Sequence, residues 1–292
     1  MIELRGVTVR YGSTVAVDDV HLRLPAGKIY GLLGRNGSGK TSLLSALTSY
    51  RKPSAGVVLF DGAEAFENSV AMRQTCFIRD TLDLTVGDRI RRALQFAGWL
   101  RPTWDADYAT RLTELFQLDP AKRIIALSRG QKSALGVVLG LAARTPLTVL
   151  DETYLGMDAA ARAIFYRELL ADYLAHPRTI ILSTHLIDEV ADLFEQVIIM
   201  DRGRVLLHEE ADELRSRGVT VTGPAAAVDA FTAGHVVLGE QHLGGVRAAT
   251  LDGRLAADEV SRGEAAGLTF GPVSVQDLFV HLTSAQHLEA SR

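Results

Sequence analysis

Cysteine is almost absent: Cys76 is the only one in 292 residues. A single thiol cannot build a disulfide framework or a cysteine-rich metal site within the chain, which fits a reducing compartment. With no activating motif beside it, Cys76 reads as a small buried residue. A strong excess of one charge is missing too. A formal net charge of −4, with 23% charged residues, offers no coat for a polyanion, so no nucleic-acid partner is expected. Nor is there a long apolar run. The most apolar stretch, Ala134–Ala143, falls well short of the roughly 20 residues a bilayer span needs and reads as a buried helix. Met1–Gly6 lacks the basic-then-apolar profile of a secretion leader. The expectation is a cytoplasmic protein that crosses no membrane by itself but docks on something that does. Hydrophobic residues make up 47%, enough for an ample core, and the length predicts one large domain plus a smaller appendage.

What the chain does contain is Gly34-Arg35-Asn36-Gly37-Ser38-Gly39-Lys40-Thr41, which fits the phosphate-cradling pattern G-x-x-x-x-G-K-S/T. Lys28–Leu33 before it reads as a short buried strand, and the run from Ser42 opens a helix. Glycines let the backbone close around phosphates with several N–H groups pointing inward, at the positive end of the new helix. Lys40 is expected to reach the β- and γ-phosphates and Thr41 to ligate Mg2+. Gly34, Asn36, Gly37, Ser38, Gly39, Lys40, Thr41 and Ser42 are the candidate contacts to the nucleotide.

Around this loop the chain alternates. Residues 1–31 carry apolar positions at Val7, Val9 and Tyr11, then at Val20, Leu22 and Leu24, predicting antiparallel strands with a turn at Gly12-Ser13. From Leu82 to about Ala143 helical spacing takes over, with stripes at Ile90, Ala93, Leu94 and Ala97 and at Leu112, Leu115 and Phe116. Strand character returns at Leu147–Leu150 and Thr179–Ser183, separated by a helix over 159–174, so the sheet should be mostly parallel. Ile198–Met200, the turn Asp201–Arg204 and Val205–Leu207 read as a hairpin. A polar helix then leads out to Gly218. Residues from 219 on read as strand (219–222), helix (225–233), two strands (235–251), helix (256–266) and strand (268–270), a small βαββαβ unit closed by a helix over 274–283.

Four further motifs follow the phosphate loop: Leu127-Ser128-Arg129-Gly130-Gln131, Leu147–Glu152, Gly156-Met157-Asp158 and Ser183-Thr184-His185. Asp151, at the carboxyl end of a parallel strand, is placed beside the loop to hold magnesium. Glu152 faces the γ-phosphate side, where a carboxylate can polarise the attacking water. Over residues 1 to about 215 the ordered set resembles the ATP-binding-cassette (ABC) family, whose signature is L-S-G-G-Q. The resemblance implies an α/β P-loop NTPase fold with a mostly parallel sheet, an antiparallel β subdomain and a helical subdomain at about 82–143. A small C-terminal α+β domain over 216–292 would follow. It also implies that Lys40, Glu152 and His185 carry catalysis, with His185 touching the γ-phosphate and orienting Glu152, and that Tyr11 stacks on adenine. In the family two cassettes, identical or not, join head to tail. Ser128, Gly130 and Gln131 would then complete the partner's site, Asp158 would be a further nucleotide contact, and a separate transmembrane permease would receive the motion.

Three positions depart from the family pattern. Arg129 stands where the first signature glycine is usual, Asp80 where a magnesium-sensing glutamine is usual, and Thr153 where proline follows the glutamate. Asp80 can still accept from a metal-bound water but adds negative charge, while Thr153 should loosen its turn. With Trp104-Asp105 and Ser274–Phe279, these departures resemble ABC-2 type exporter ATPases. The alternative reading is a non-transport ABC ATPase of the iron–sulfur assembly type acting on a soluble partner. The coiled-coil insertions, zinc cysteines and second cassette common among such relatives are not in this sequence.

Overall fold

The computed structural model describes residues 1–80, 88–216, 218–280 and 283, so the expected start of the helical subdomain at Leu82 lies outside the described residues. Two compact units are present: Met1–His185 with Met200–Val205, and Leu186–Ile199 with Leu206–Arg292.

In the first unit β1 (Ile2–Tyr11) and β2 (Thr14–Leu24) pair antiparallel, with Tyr11 opposite Thr14 across the expected turn. β3 (Ile29–Gly34) is buried at every position, the mark of a central strand covered on both faces. α1 (Lys40–Leu47) begins at the lysine of the loop, two residues before the expected start. Residues 55–79, to which the sequence patterns above assign no element, form β4 (Ala55–Phe60), β5 (Ala63–Glu64), the short α2 (Ser69–Arg73) and β6 (Thr75–Arg79). β4 pairs with the free side of β1, giving the antiparallel order β2-β1-β4-β5.

The helical region follows as α3 (Ile90–Leu100), α4 (Ala106–Leu115) and α5 (Arg129–Ala142), the last buried continuously from Ser133. β7 (Leu147–Asp151), α6 (Ala159–Ala175) and β8 (Thr179–Thr184) complete the unit's α/β alternation. Strands β3, β8, β7 and β6 lie side by side in that order and are all parallel. Parallel pairing puts the carboxyl ends of β3, β7 and β8 at one edge, which is where ligands bind in such sheets. Burying each Leu or Ile of these strands contributes about 1.5–3 kcal/mol. Polar contacts fix the frame as well: Asp172 on α6 accepts from Arg178 (2.6 Å) and Arg144 (3.1 Å), and Arg144 also donates to Asp105 at the start of α4 (2.5 Å).

The second unit opens with α7 (Ile187–Val190). It shares β9 (Gln196–Asp201) and β10 (Arg204–Glu210) with the first unit, which holds their connecting turn, and continues through α8 (Ala211–Arg215). Then come β11 (Gly218–Pro224), α9 (Ala225–Thr232), β12 (Val237–Leu243), β13 (Val246–Asp252), α10 (Ala257–Ala265) and β14 (Thr269–Pro272). The sheet order β12-β13-β11-β14 is antiparallel throughout, as a βαββαβ chain closes. Val221, Val228, Ala249, Leu251 and Leu268 form its core, with Phe231 set edge-on to Phe270. Residues 275–280 are helical, and the end of the expected last helix at 281 and 282 lies outside the described residues.

Candidate functional site

The turn from β3 into α1 is held by tight backbone packing. Gly39 has φ 103°, and a Cβ there would lie 2.2 Å from the Ala16 carbonyl oxygen, so only glycine fits. The Ser38 carbonyl accepts from the Gly203 N–H (2.8 Å), buttressing the loop. Lys40 is 5% exposed, and its Nζ donates to the Gly34 carbonyl (2.7 Å) and the Arg35 carbonyl (3.3 Å). The lysine thus arches over its own loop, with Glu152 Oε1 3.4 Å away.

Asn36, Gly37, Ser38, Gly39, Lys40, Thr41 and Ser42 line a cavity of about 430 Å³ with Tyr11, Ala16, Asp80, Asp151 and Glu152. Gly34 forms the foot of the turn instead, where a Cβ would strike Ser38 Oγ. Burial pushes the Asp151 carboxyl above the usual carboxylate range. The Thr41 and Ser183 hydroxyls and Lys40 oppose that shift, and Glu152 adds to it. Asp151 Oδ1 and Ser38 Oγ are buried without a hydrogen-bond partner. Both atoms belong to residues that line the cavity, where a ligand or water could pair them. Among the described residues no three His, Cys, Asp or Glu side chains gather into a metal cluster. An ionised Asp151 oxygen beside a threonine hydroxyl nevertheless suits a hard cation that takes its remaining oxygens from phosphate and water.

Glu152 stands at φ 50°, a left-handed conformation that costs a non-glycine residue about 1–3 kcal/mol and concentrates at functional sites. Its N–H donates to the Ser183 carbonyl (3.2 Å), tying the end of β7 to that of β8. This turn brings Glu152 Oε2 to 3.2 Å from His185 Nδ1. Lysine, glutamate and histidine, distant in sequence, therefore form one connected line. Tyr154, which the sequence reading passed over, joins it: its hydroxyl lies 3.1 Å from His185 Nδ1. The only available sign was an aromatic residue between Glu152 and Gly156.

The signature residues lie elsewhere on the same unit. Ser128, Gly130, Gln131 and Asp158 line a second cavity, of about 340 Å³. Ser128 caps α5, accepting from the Gln131 N–H (3.2 Å) while Gln131 Oε1 accepts from the Ser128 N–H (3.3 Å). Asp158 caps α6 through the Ala161 N–H (2.8 Å). A Cβ on Gly130 would lie 2.5 Å from the Gly156 carbonyl oxygen, so this glycine permits a close backbone crossing. The two departures treated separately in the sequence meet in space: Arg129 Nη2 lies 3.9 Å from Asp80 Oδ2. Tyr11 is half exposed, and the Arg51 guanidinium covers one ring face at 4.0 Å.

Residues 17–154 match the family model described as ABC transporter. The chain carries an ABC transporter ATP-binding domain. Relatives of this domain include the ABC transporter ATP-binding protein YtrB of Bacillus subtilis, 26% identical over 76% of this chain and 76% of its own length. The sulfate/thiosulfate import ATP-binding protein CysA of Bacillus cereus is 30% identical over 70% of this chain and 60% of its own. The chain therefore spans less than two thirds of that second relative. Among solved structures, the ATP-binding cassette MJ0796, in a dimeric post-hydrolysis state bound to ADP and Pi, shares the fold. Its TM-score is 0.65 at 19% identity, covering 72% of this chain and 99% of that one. Among the described residues no helix is long and apolar enough to cross a membrane.

Proposed function

We propose that this chain is the ATP-hydrolysing subunit of an ABC transporter, working as one of two cassettes that close on ATP and drive a separate permease. One observation carries the reading: the phosphate loop lines one cavity with Asp151 and Glu152, the latter also meeting His185, and the signature residues line another. One chain thus holds two half-sites, and a head-to-tail pair would complete both. In this reading Lys40 and the loop N–H groups hold the triphosphate, Glu152 accepts the proton of the attacking water, and His185 orients Glu152. Thr41 and Asp151, with Asp80 nearby, would hold Mg2+, which neutralises charge developing on the phosphates. Tyr11 would offer its uncovered face to adenine.

We assign the cassette to residues 1–215 and an accessory domain to 216–292, on the strength of the βαββαβ unit with its own core. Phe96, Trp99 and Leu100 on α3 are exposed at 56%, 74% and 56%, an apolar patch suited to a permease contact that would hold the protein at the cytoplasmic membrane face. The ABC-2 resemblance favours export, whereas CysA is named for import; the proposal is transport without a direction. Glu152→Gln is expected to bind ATP, release phosphate about 10³-fold more slowly and accumulate as a dimer in light scattering with ATP. Unchanged turnover, or a strict monomer at saturating ATP, would sink the reading.

A further inference from the structure

Arg51 lies beyond the end of α1, far from Tyr11 in the chain, yet its guanidinium carbon stands 4.0 Å from the centre of the Tyr11 ring. A cation at that distance is attracted by the negative face of the π system. The residue is pinned at both ends. Its backbone N–H donates to the Ser45 carbonyl of α1 (2.9 Å), and Nη2 donates to the carbonyl of Arg10 (2.9 Å), the residue next to Tyr11 on β1. Ser54 grips the same strand: its N–H donates to the Thr8 carbonyl (2.7 Å) and its hydroxyl accepts from the Arg10 N–H (3.0 Å). The segment after α1 is thus stitched to β1 beside the ring. Nε of Arg51 is buried without a hydrogen-bond partner, so hydrogen bonding alone does not account for where the guanidinium sits. The aromatic face supplies the missing attraction.

Three groups fix the ring. β1 carries its backbone opposite Thr14, the Ser42 hydroxyl donates to the Tyr11 hydroxyl (3.4 Å), and the guanidinium covers one face. Tyr11 remains 46% exposed. It lines the phosphate-loop cavity together with Ser42, whereas Arg51 is not part of that lining.

We propose that Arg51 is a positioning residue for the base of the nucleotide: it backs the Tyr11 ring, so that the opposite face is held ready to stack on adenine. The proposal rests on the ATPase reading and on the adenine role of Tyr11 within it. Two effects act in the same direction. A ring already seated loses less rotamer freedom when the base arrives. A cation on one face also draws π density toward itself, which lessens the repulsion between the other face and an electron-rich purine. The phosphate contacts are a separate matter, since they belong to the loop.

The test compares ATP with inorganic tripolyphosphate, which has no base, by titration calorimetry of the full chain with Mg2+. Arg51→Gln removes the cation and keeps a donor for the Arg10 carbonyl. ATP affinity should fall about fivefold, with tripolyphosphate affinity within about 1.5-fold of wild type. KM for ATP should rise in step while kcat stays within about twofold, as when uniform binding is lost. Tyr11→Leu should lose about tenfold in ATP affinity, and adding Arg51→Gln to it should cost nothing more. An equal loss for both ligands makes Arg51 merely structural and overturns the proposal. So does unchanged ATP affinity, or the same fivefold loss when the ring is already gone. Should Arg51→Gln not fold, Arg51→Lys carries the test: an ammonium cannot cover the ring and hold the Arg10 carbonyl together, so the same split should appear at smaller size, and its absence overturns the role. A wild type that binds tripolyphosphate as tightly as ATP keeps the phosphate loop and removes the base site with the proposal. A wild type that binds neither removes the ATPase reading as well.

Discussion

The two cavities of the first unit are built on opposite principles. Around the phosphate loop, charge is buried and left incomplete: Asp151 Oδ1 and Ser38 Oγ lack partners, the Asp151 carboxyl is pushed up by burial, and Glu152 is held at a positive φ. Around the signature, the polar groups already serve the chain itself, as the capping box of Ser128 and Gln131 and the cap of Asp158. The first cavity holds buried polar atoms that the chain itself does not pair, whereas the polar groups of the second are paired within the chain. Nucleotide affinity should therefore reside in the first, and the second should matter once another chain presents its nucleotide.

The largest test of that contrast is Lys40→Ala. Removing the buried ammonium should weaken ATP binding about 100-fold or more in titrations with a fluorescent nucleotide, because charge-assisted contacts to phosphate are lost. Retained affinity would move the site elsewhere. Asp151 provides a test with a defined sign. Its folded pKa lies above the unfolded value, so the folded state favours the protonated form, and stability associated with this group falls as pH rises from the ordinary carboxylate range through the raised pKa. A cation needs the ionised form, so apparent Mg2+ affinity should fall as pH drops through the same window. Asp151→Asn should melt higher than wild type at neutral pH without ligand while losing Mg2+-dependent phosphate release. A lower melting temperature would show that the buried charge is already compensated.

Effects should be smaller at the second cavity. Ser128→Ala removes a cap and should cost about 1 kcal/mol in denaturant unfolding. ATP affinity of the dilute monomer should stay unchanged while turnover falls at concentrations where dimers form. A loss of monomer affinity would break the separation between the cavities. The smallest effect belongs to Arg129→Ala. Its pair with Asp80 is exposed at 66% and 40%, so the stability change should be below about 1 kcal/mol and vanish in high salt.

Much of this site was legible because its residues are covalently local. The phosphate loop needs strand, glycine turn and helix in sequence, and Asp151-Glu152 must end an apolar strand; both patterns are written in consecutive residues. The capping roles of Ser128 and Asp158 were as local but were passed over in favour of nucleotide contacts. Residues 55–79 were harder, since β4 pairs with β1 across some fifty residues and short half-buried strands leave little period. Arg129 and Asp80 were read as two unrelated departures because nothing in one dimension brings them together.

Outside residues 55–79 the sequence by itself determined most of the order of strands and helices, the glycine turn and the identities of the candidate reacting side chains, since backbone sterics and burial periodicity act over a few neighbouring residues. Only the tertiary structure decided that Lys40, Glu152, Tyr154 and His185 share one line of contacts and that the signature faces a different cavity. Hydrogen bonds of about 3 Å depend on how β7 and β8 are set in register, and register is a property of the folded sheet.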